Sequence, residues 1–227
     1  SCVAHRRDLR SAEFCSAPIL EIESLYAVVN PLLMRLYHAK LEEVQQHRPN
    51  GCGPIDSLLS WKIPDTKGSN PDAQNLNEHF LFHGCEAAVI EEIWRNGFDP
   101  RRGGEATGKM FGVATYLTPH ASKADIYTKP RSQRLPWRAT RRMIIARALL
   151  GESYRTTRPM ATAARPPDGP DGRPLDSVWA DTREKGGAVD HLEVMLYDRG
   201  QAYPEIIVTY SHSYECQCAE CGKRPVF

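Results

Sequence analysis

The chain has 227 residues, of which 41% are hydrophobic and 25% are charged, as in a soluble globular protein with room for one large domain. Its formal net charge of +1 excludes the strong global field of a typical nucleic-acid-binding protein, so we expect no nucleic-acid partner. Its apolar runs all fall short of the roughly 20 residues that a membrane span requires, so we expect no membrane association.

A helix is predicted to begin after Asn30, because asparagine suits an N-cap and Pro31 suits the first helical position. Apolar residues then recur at helical spacing over 32–44, and the helix is predicted to end before Pro49. The remaining periodic segments predict strands at 79–83, 113–118, 143–150, 192–197 and 205–210, and helices at 86–96 and 120–127.

Residues 158–174 are rich in proline and glycine, which predicts a long surface loop. The residues Asp198-Arg199-Gly200 supply the turn between the last two predicted strands. Because strands outnumber helices in the second half, the sequence predicts an α+β fold with a largely antiparallel sheet.

Polar residues stand at the ends of three predicted strands. His83 closes an apolar strand and is followed by Gly84, which permits close approach of a ligand to the backbone. Tyr116 lies in the next strand and Tyr127 follows eleven residues later, so the two rings could enclose a flat ligand. Glu205 is predicted to open the last strand, which places a carboxylate at the edge of a sheet. Each feature taken alone is also compatible with a structural role.

In their order and spacing these features resemble the poly(ADP-ribose) polymerase catalytic domain, a family of ADP-ribosyltransferases with a His-Tyr-Glu triad. The likeness runs from about Leu25 to Tyr210 and is closest in motif to tankyrases and macrodomain-type mono-ADP-ribosyltransferases. It rests on Leu-Phe-His-Gly at 81–84, Met-Phe-Gly at 110–112 before Tyr116, Ala-Ser-Lys-Ala at 121–124 before Tyr127, and Gln-Ala-Tyr-Pro-Glu at 201–205.

The resemblance implies two split, twisted, mainly antiparallel sheets with flanking helices, and NAD bound in the cleft between them. It divides the chain into a flanking segment at 1–24, a catalytic domain at 25–211 and a Cys-rich tail at 212–227.

By the same resemblance, His83 would bond the adenosine-side ribose and the Gly84 backbone would pair with the nicotinamide carboxamide. Tyr116 and Tyr127 would line the nicotinamide ring, and Ser122 would also belong to the NAD-binding residues.

The resemblance makes Glu205 the third catalytic residue, after His83 and Tyr116, and has it hold the 2′-hydroxyl of the nicotinamide ribose. Loss of nicotinamide leaves an oxocarbenium-like centre, which a nearby carboxylate stabilises more than it stabilises the ground state. ADP-ribose would then pass to a protein acceptor or to the chain itself, with a single transfer favoured over polymer formation.

Ala124 stands where the family usually has a serine that helps to hold the carboxamide. A catalytically weak or inactive module that binds NAD or ADP-ribose therefore stays open as an alternative. A related NAD-dependent enzyme that removes a 2′-phosphate from RNA is disfavoured, because the chain lacks a strongly basic face.

Seven cysteines are scattered through the chain, and an odd number in a chain of this length favours reduced thiols. The start, Ser1–Arg7, is followed by no apolar stretch, so we expect no signal peptide and an intracellular location, cytoplasmic or nuclear. Near the end, Cys216, Cys218 and Cys221 are zinc candidates, with His212 or a distant Cys2 or Cys15 as the fourth ligand. A disulfide to the N-terminal region and free thiols are equally compatible with the pattern, and zinc is not the favoured interpretation.

Overall fold

A computed structural model describes residues 18–55, 75–103, 109–128, 139–218 and 220–221. Within that part of the chain, two four-stranded sheets and three α-helices are connected by loops and short 3₁₀ turns. In chain order they are β1 (Leu20–Ala27), α1 (Pro31–His47), β2 (Glu78–Gly84), α2 (Ala87–Asn96), β3 (Thr115–Leu117), α3 (Ala121–Asp125), β4 (Arg141–Leu149), β5 (Ser153–Thr156), β6 (Ser177–Ala180), β7 (Glu193–Leu196) and β8 (Ala202–His212).

The first sheet has the strand order β1-β8-β4-β2 and is antiparallel throughout. The second has the order β3-β7-β6-β5, in which the β5–β6 pair is parallel and the other pairs are antiparallel. The sheets touch where Phe82 bridges to Thr118, just beyond the end of β3. The predicted α+β class with mainly antiparallel strands is therefore confirmed.

Helix α1 confirms the predicted start and end of the first helix. The Asn30 side chain caps it by accepting a hydrogen bond from the Leu33 amide at 3.2 Å, and the helix ends at His47. Its buried residues, Tyr37 and Val44, pack in a hydrophobic cluster that also contains Tyr203 of β8. The helix therefore covers one face of the first sheet.

Strands β1, β5 and β6 were not predicted from the sequence. β5, Ser153–Thr156, carries no apolar alternation, and β6, Ser177–Ala180, is buried on both faces. β1 lies at the edge of its sheet and leaves Ile22 and Leu25 65% and 59% exposed, so its apolar residues do not form a buried stripe. These strands are defined by the neighbours they pair with.

Strand β2 separates two environments, because successive side chains of a strand point to opposite faces. Leu81 lies in the main core cluster between the two sheets, and His83 shares its face. Glu78 points the other way, where its carboxylate accepts a 2.6 Å hydrogen bond from the Tyr37 hydroxyl of α1. The first sheet thus has an inter-sheet face and a helix-covered face.

The turn predicted between the last two strands is confirmed as a 3₁₀ turn, Arg199–Gln201, with Asp198 in a capping box. The prediction that Glu205 opens the last strand was wrong, because β8 begins three residues earlier at Ala202. Glu205 therefore lies inside the strand, at the point where the β4–β8 register shifts beside Ile145. In the described ranges, no helix combines the length and the apolarity that crossing a membrane requires.

Candidate active site

His83 lies near the end of β2, and its ring is held by the neighbouring strand. Its Nδ1 is 3.0 Å from the carbonyl oxygen of Tyr116. Because a carbonyl only accepts, Nδ1 carries the proton and the neutral ring presents Nε2 as an acceptor. Burial lowers the pKa of His83, while the bond to the Tyr116 carbonyl opposes that shift. The contact thus fixes a proton on Nδ1, and burial favours the neutral ring.

Tyr116 is the central residue of β3, and its hydroxyl fastens the preceding loop. The hydroxyl accepts from the Phe111 amide at 3.0 Å and donates to the Gly112 carbonyl at 2.9 Å. Burial raises the pKa of Tyr116, the Phe111 hydrogen bond opposes the rise, and the negative charge of Glu193 adds to it. The phenol is therefore a fixed structural anchor and lies within the field of the Glu193 carboxylate.

Helix α3 closes one side of this region by packing directly on Gly84. A Cβ placed on Gly84 would lie 1.8 Å from the carbonyl oxygen of Ala124, so only glycine permits this approach. Ala124 is buried, whereas Ser122 and Tyr127 are half-buried. The Lys123 ammonium lies 5.2 Å from the centre of the Tyr127 ring, so both side chains occupy the same part of the site.

Glu193, the first residue of β7, is brought to this cluster although the sequence analysis did not select it. Its Oε1 lies 3.2 Å from Nζ of Lys123, and the two side chains are 13% and 9% exposed. Tyr116 pairs with Met195, two residues beyond Glu193, so Tyr116 and Glu193 share one face of the second sheet. A nearly buried ion pair therefore lies beside Tyr116.

Glu205 is not brought to His83 and Tyr116. Its carboxylate accepts two hydrogen bonds from Arg147, at 2.8 and 3.2 Å. Arg147 pairs in register with Phe80 and stacks over its ring at 5.5 Å, so it lies on the helix-covered face of the first sheet. His83 points to the opposite face of the same strand, which separates Glu205 from the candidate site.

The string Gln-Ala-Tyr-Pro-Glu instead holds the framework together. The Gln201 amide donates to the carbonyls of Leu149 and Asp176, at 3.2 and 2.7 Å. The Tyr203 hydroxyl donates to the Val28 carbonyl at 2.7 Å. These bonds give the string a structural role in the framework. In the sequence, the feature that could have identified Glu193 is a carboxylate within an otherwise apolar predicted strand. Burying such a charge costs free energy unless it is paired.

The cysteine tail does form a cluster. His212, Cys216, Cys218 and Cys221 are buried, and their potential ligand atoms all lie within 4.8 Å of one another. Of the two ways of completing the cysteine trio, the structure thus supports His212, whereas Cys2 and Cys15 lie outside the described residues.

Comparison with known proteins agrees with the resemblance stated from the sequence. The family model described as "Poly(ADP-ribose) polymerase catalytic domain" matches residues 62–212. Protein mono-ADP-ribosyltransferase PARP14 of Homo sapiens is 26% identical over 213 residues, covering 91% of this chain and 11% of that protein.

Two further relatives carry the same activity in their names. Protein mono-ADP-ribosyltransferase PARP12 of Homo sapiens is 26% identical over 85% of this chain and 24% of its own length. Protein mono-ADP-ribosyltransferase PARP11 of Mus musculus is 28% identical over 60% of this chain and 43% of its own length. The chain thus spans less than half the length of each of these relatives.

Proposed function

Because the chain belongs to the poly(ADP-ribose) polymerase catalytic domain family, we propose that it transfers ADP-ribose from NAD to a protein acceptor. We further propose that it adds a single unit, since the relatives described above are named mono-ADP-ribosyltransferases. NAD would be the substrate that supplies ADP-ribose, and nicotinamide would be the leaving group.

The observation that carries this proposal is the convergence of four elements, β2, β3, β7 and α3, on one region. The neutral ring of His83 at the end of β2 bonds to the backbone of Tyr116 on β3. Glu193 at the start of β7 lies on the same sheet face as Tyr116 and pairs with Lys123 of α3. A hydrogen-bond acceptor, an aromatic ring and a nearly buried carboxylate are thus held on rigid elements, as a preorganised site requires.

Each group has a role that its geometry suits. Nε2 of neutral His83 would accept a hydrogen bond from a ribose hydroxyl. The rings of Tyr116 and Tyr127 would provide apolar walls for the flat nicotinamide. The Gly84 backbone would pair with the carboxamide, and the missing side chain lets α3 pack directly against this end of β2.

Glu193 takes the role that the sequence analysis gave to Glu205. When the bond between the ribose C1′ and the nicotinamide nitrogen breaks, its electron pair leaves with nicotinamide and the ribose becomes cation-like. The Glu193 carboxylate would accept a hydrogen bond from the ribose 2′-hydroxyl and would stabilise the developing positive charge. Lys123 would hold that carboxylate in place, because their 3.2 Å contact is sheltered from water.

Ala124 gives the site one polar anchor fewer than a serine would. Its methyl group is buried in a cluster with Met143 and Tyr210, so the position contributes packing where a hydroxyl would contribute a hydrogen bond. We propose that the nicotinamide carboxamide is held mainly by the Gly84 backbone and that small nicotinamide mimics bind this chain weakly.

The test is incubation of the 227-residue chain with NAD labelled on its adenine half, alone and with a lysate of candidate acceptors. A single labelled species per acceptor supports mono-ADP-ribosyl transfer, and a ladder of increasing mass indicates polymer formation instead. If the chain binds NAD saturably but neither labels protein nor releases nicotinamide, the proposal is overturned and the inactive binding module is favoured.

A further inference from the structure

The four residues of the tail cluster are arranged as a metal site outside the candidate active site. Nδ1 of His212 is 3.2 Å from Sγ of Cys221 and 3.6 Å from Sγ of Cys218. All four potential ligand atoms, including Sγ of Cys216, lie within 4.8 Å of one another. For Zn²⁺ bound tetrahedrally by sulfur and nitrogen, neighbouring ligand atoms stand about 3.6–3.8 Å apart. The cluster is therefore the size of one zinc ion with its ligands.

We propose that His212, Cys216, Cys218 and Cys221 bind one Zn²⁺ in a closed, tetrahedral Cys₃His site. Three thiolates and one imidazole match the preference of zinc for sulfur and nitrogen, and the absence of an open coordination position suits a structural site. The ligands follow one another within ten residues at the end of β8, so the strand sets the position of His212 and the following turn brings the cysteines to it.

The far side of the imidazole supports this assignment. Nε2 of His212 lies 3.1 and 3.0 Å from the two carboxylate oxygens of Asp125. Because a carboxylate accepts, Nε2 carries the proton and Nδ1 directs its lone pair towards the sulfurs. Metal-binding histidines usually have a carboxylate partner of this kind, which fixes the tautomer and the ring orientation.

The backbone around the sulfurs is also suited to thiolates. The amide of Ile19 donates to Sγ of Cys216 at 3.2 Å, a contact that favours negative charge on the sulfur. Glu220, between the last two cysteines, accepts a 2.6 Å hydrogen bond from the fully buried guanidinium of Arg141. Protein contacts therefore hold the turn on both sides, independently of a metal.

A disulfide explains the cluster less well. A disulfide would join two of the three sulfurs. The third thiol and the imidazole nitrogen would then lie beside it with nothing to account for their grouping. A single metal ion uses all four groups, and the structure has Cys216, Cys218 and Cys221 as thiols.

The site connects the tail to helix α3 through Asp125, the last residue of that helix. Asp125 also accepts a 2.8 Å hydrogen bond from the Tyr210 hydroxyl of β8. Lys123 of the same helix pairs with Glu193. Zinc would thus fix the helix that orients the candidate catalytic carboxylate. This last link rests on the proposed function, whereas metal binding itself does not.

The first experiment measures metal in the purified 227-residue chain by inductively coupled plasma mass spectrometry, after exchange into chelator-treated buffer. We expect about one zinc ion per chain in the wild type and less than about 0.1 in the double variant Cys218→Ser/Cys221→Ser. Cys52→Ala, which removes a buried cysteine beside α1, is the matched control and should keep about one ion. Equal zinc in the double variant and the control would overturn the proposal.

Because the double variant could fail to fold, replacement of zinc by Co²⁺ in the wild-type chain gives an independent measurement. A tetrahedral Cys₃His site predicts intense visible bands and a sulfur-to-cobalt charge-transfer band in the near ultraviolet, saturating at about one equivalent. Weak bands of an octahedral ion, or no uptake, would overturn the proposal. Neither result depends on whether the chain transfers ADP-ribose.

Two further variants separate ligation from anchoring. His212→Cys should retain zinc as a Cys₄ site but lose the contact to Asp125, whereas His212→Ala should lose the ion. Asp125→Asn should keep zinc with about 10- to 100-fold lower affinity in a chelator competition, because the carboxylate no longer supports the imidazole. Unchanged zinc affinity in Asp125→Asn would contradict the anchoring role given to Asp125.

Discussion

The last two strands, β7 and β8, each carry a glutamate that pairs with a basic residue, yet the two carboxylates lie in different parts of the molecule. Glu193 pairs with Lys123 beside Tyr116, on the side where His83 and helix α3 meet. Glu205 pairs with Arg147 on the helix-covered face of the first sheet. The charge pairing is similar in both places, and only the surroundings differ.

This difference shows that an ion pair alone does not identify a catalytic carboxylate. The two lie in different sheets, β7 in the second and β8 in the first, and in each sheet the strand register fixes the face to which the side chain points. Glu193 shares a sheet face with the Tyr116 ring. It lies at the start of β7, near helix α3, which packs on Gly84. Glu205 lies on the face of the first sheet that α1 covers, where it pairs with Arg147.

The largest expected effect is on transfer by Glu193→Gln. Removing the negative charge while keeping the side-chain shape should reduce the rate by about 10²–10³-fold, because the developing ribose cation loses its closest carboxylate. The measurement is nicotinamide release and label transfer under saturating NAD, with circular dichroism to confirm folding.

Glu205→Gln is the matched control for that variant. It makes the same chemical change at the carboxylate on the helix-covered face of the first sheet. We expect it to keep transfer within about three-fold of wild type. The opposite outcome, with Glu205→Gln inactive and Glu193→Gln active, would restore Glu205 as the third residue of the triad and contradict the assignment made from the fold.

The fold was largely predictable where a segment carried its own signal. The capped and periodic helix α1 and the apolar strands β2 and β4 were found from local patterns. The short strands β5 and β6 could not be, because their identity depends on pairing with distant segments.

The candidate site divided in the same way. His83 and Tyr116 stand in distinctive strings, and the structure places them in contact. Glu193 stands in a plain apolar strand, whereas Glu205 ends the most distinctive string of the chain. In that string the buried side chains of Gln201 and Tyr203 donate hydrogen bonds to backbone carbonyls of other segments. The distinctive motif therefore contains residues that stabilise the fold. The pairing of β7 and β8 into different sheets, and the register within each sheet, separate the two glutamates.

A smaller loss of transfer is expected from Lys123→Gln. This change removes the charge that orients Glu193 but leaves the carboxylate present, so we expect about a ten-fold fall in rate with little change in the Michaelis constant for NAD. Lys40→Gln, a change in the lysine that pairs with Glu43 on α1, is the control and should have no effect. A loss in Lys123→Gln equal to that in Glu193→Gln would assign lysine a direct role in the chemistry.

The pair on the helix-covered face should affect stability in place of catalysis. Glu205→Gln removes a two-point contact with Arg147 that is about a quarter exposed, so we expect the free energy of unfolding to fall by about 1 kcal/mol. Urea denaturation at neutral pH measures it. A double-mutant cycle with Arg147→Met isolates the pair, and a coupling energy near zero would show that the contact contributes nothing to stability.

The smallest expected effect concerns pH and the protonation of the His83 ring. Burial lowers the pKa of His83 below its ordinary value near 6.5, so the ring is predominantly neutral from about pH 6.5 upwards. Nε2 should remain an acceptor over that range, since Nδ1 keeps its proton on the Tyr116 carbonyl. Nuclear magnetic resonance of the His83 ring nitrogens should therefore show one unchanged tautomer over that range. Proton uptake by His83 above about pH 6.5 would mean that Nε2 donates in the working site, and the acceptor role given to it would have to be reversed.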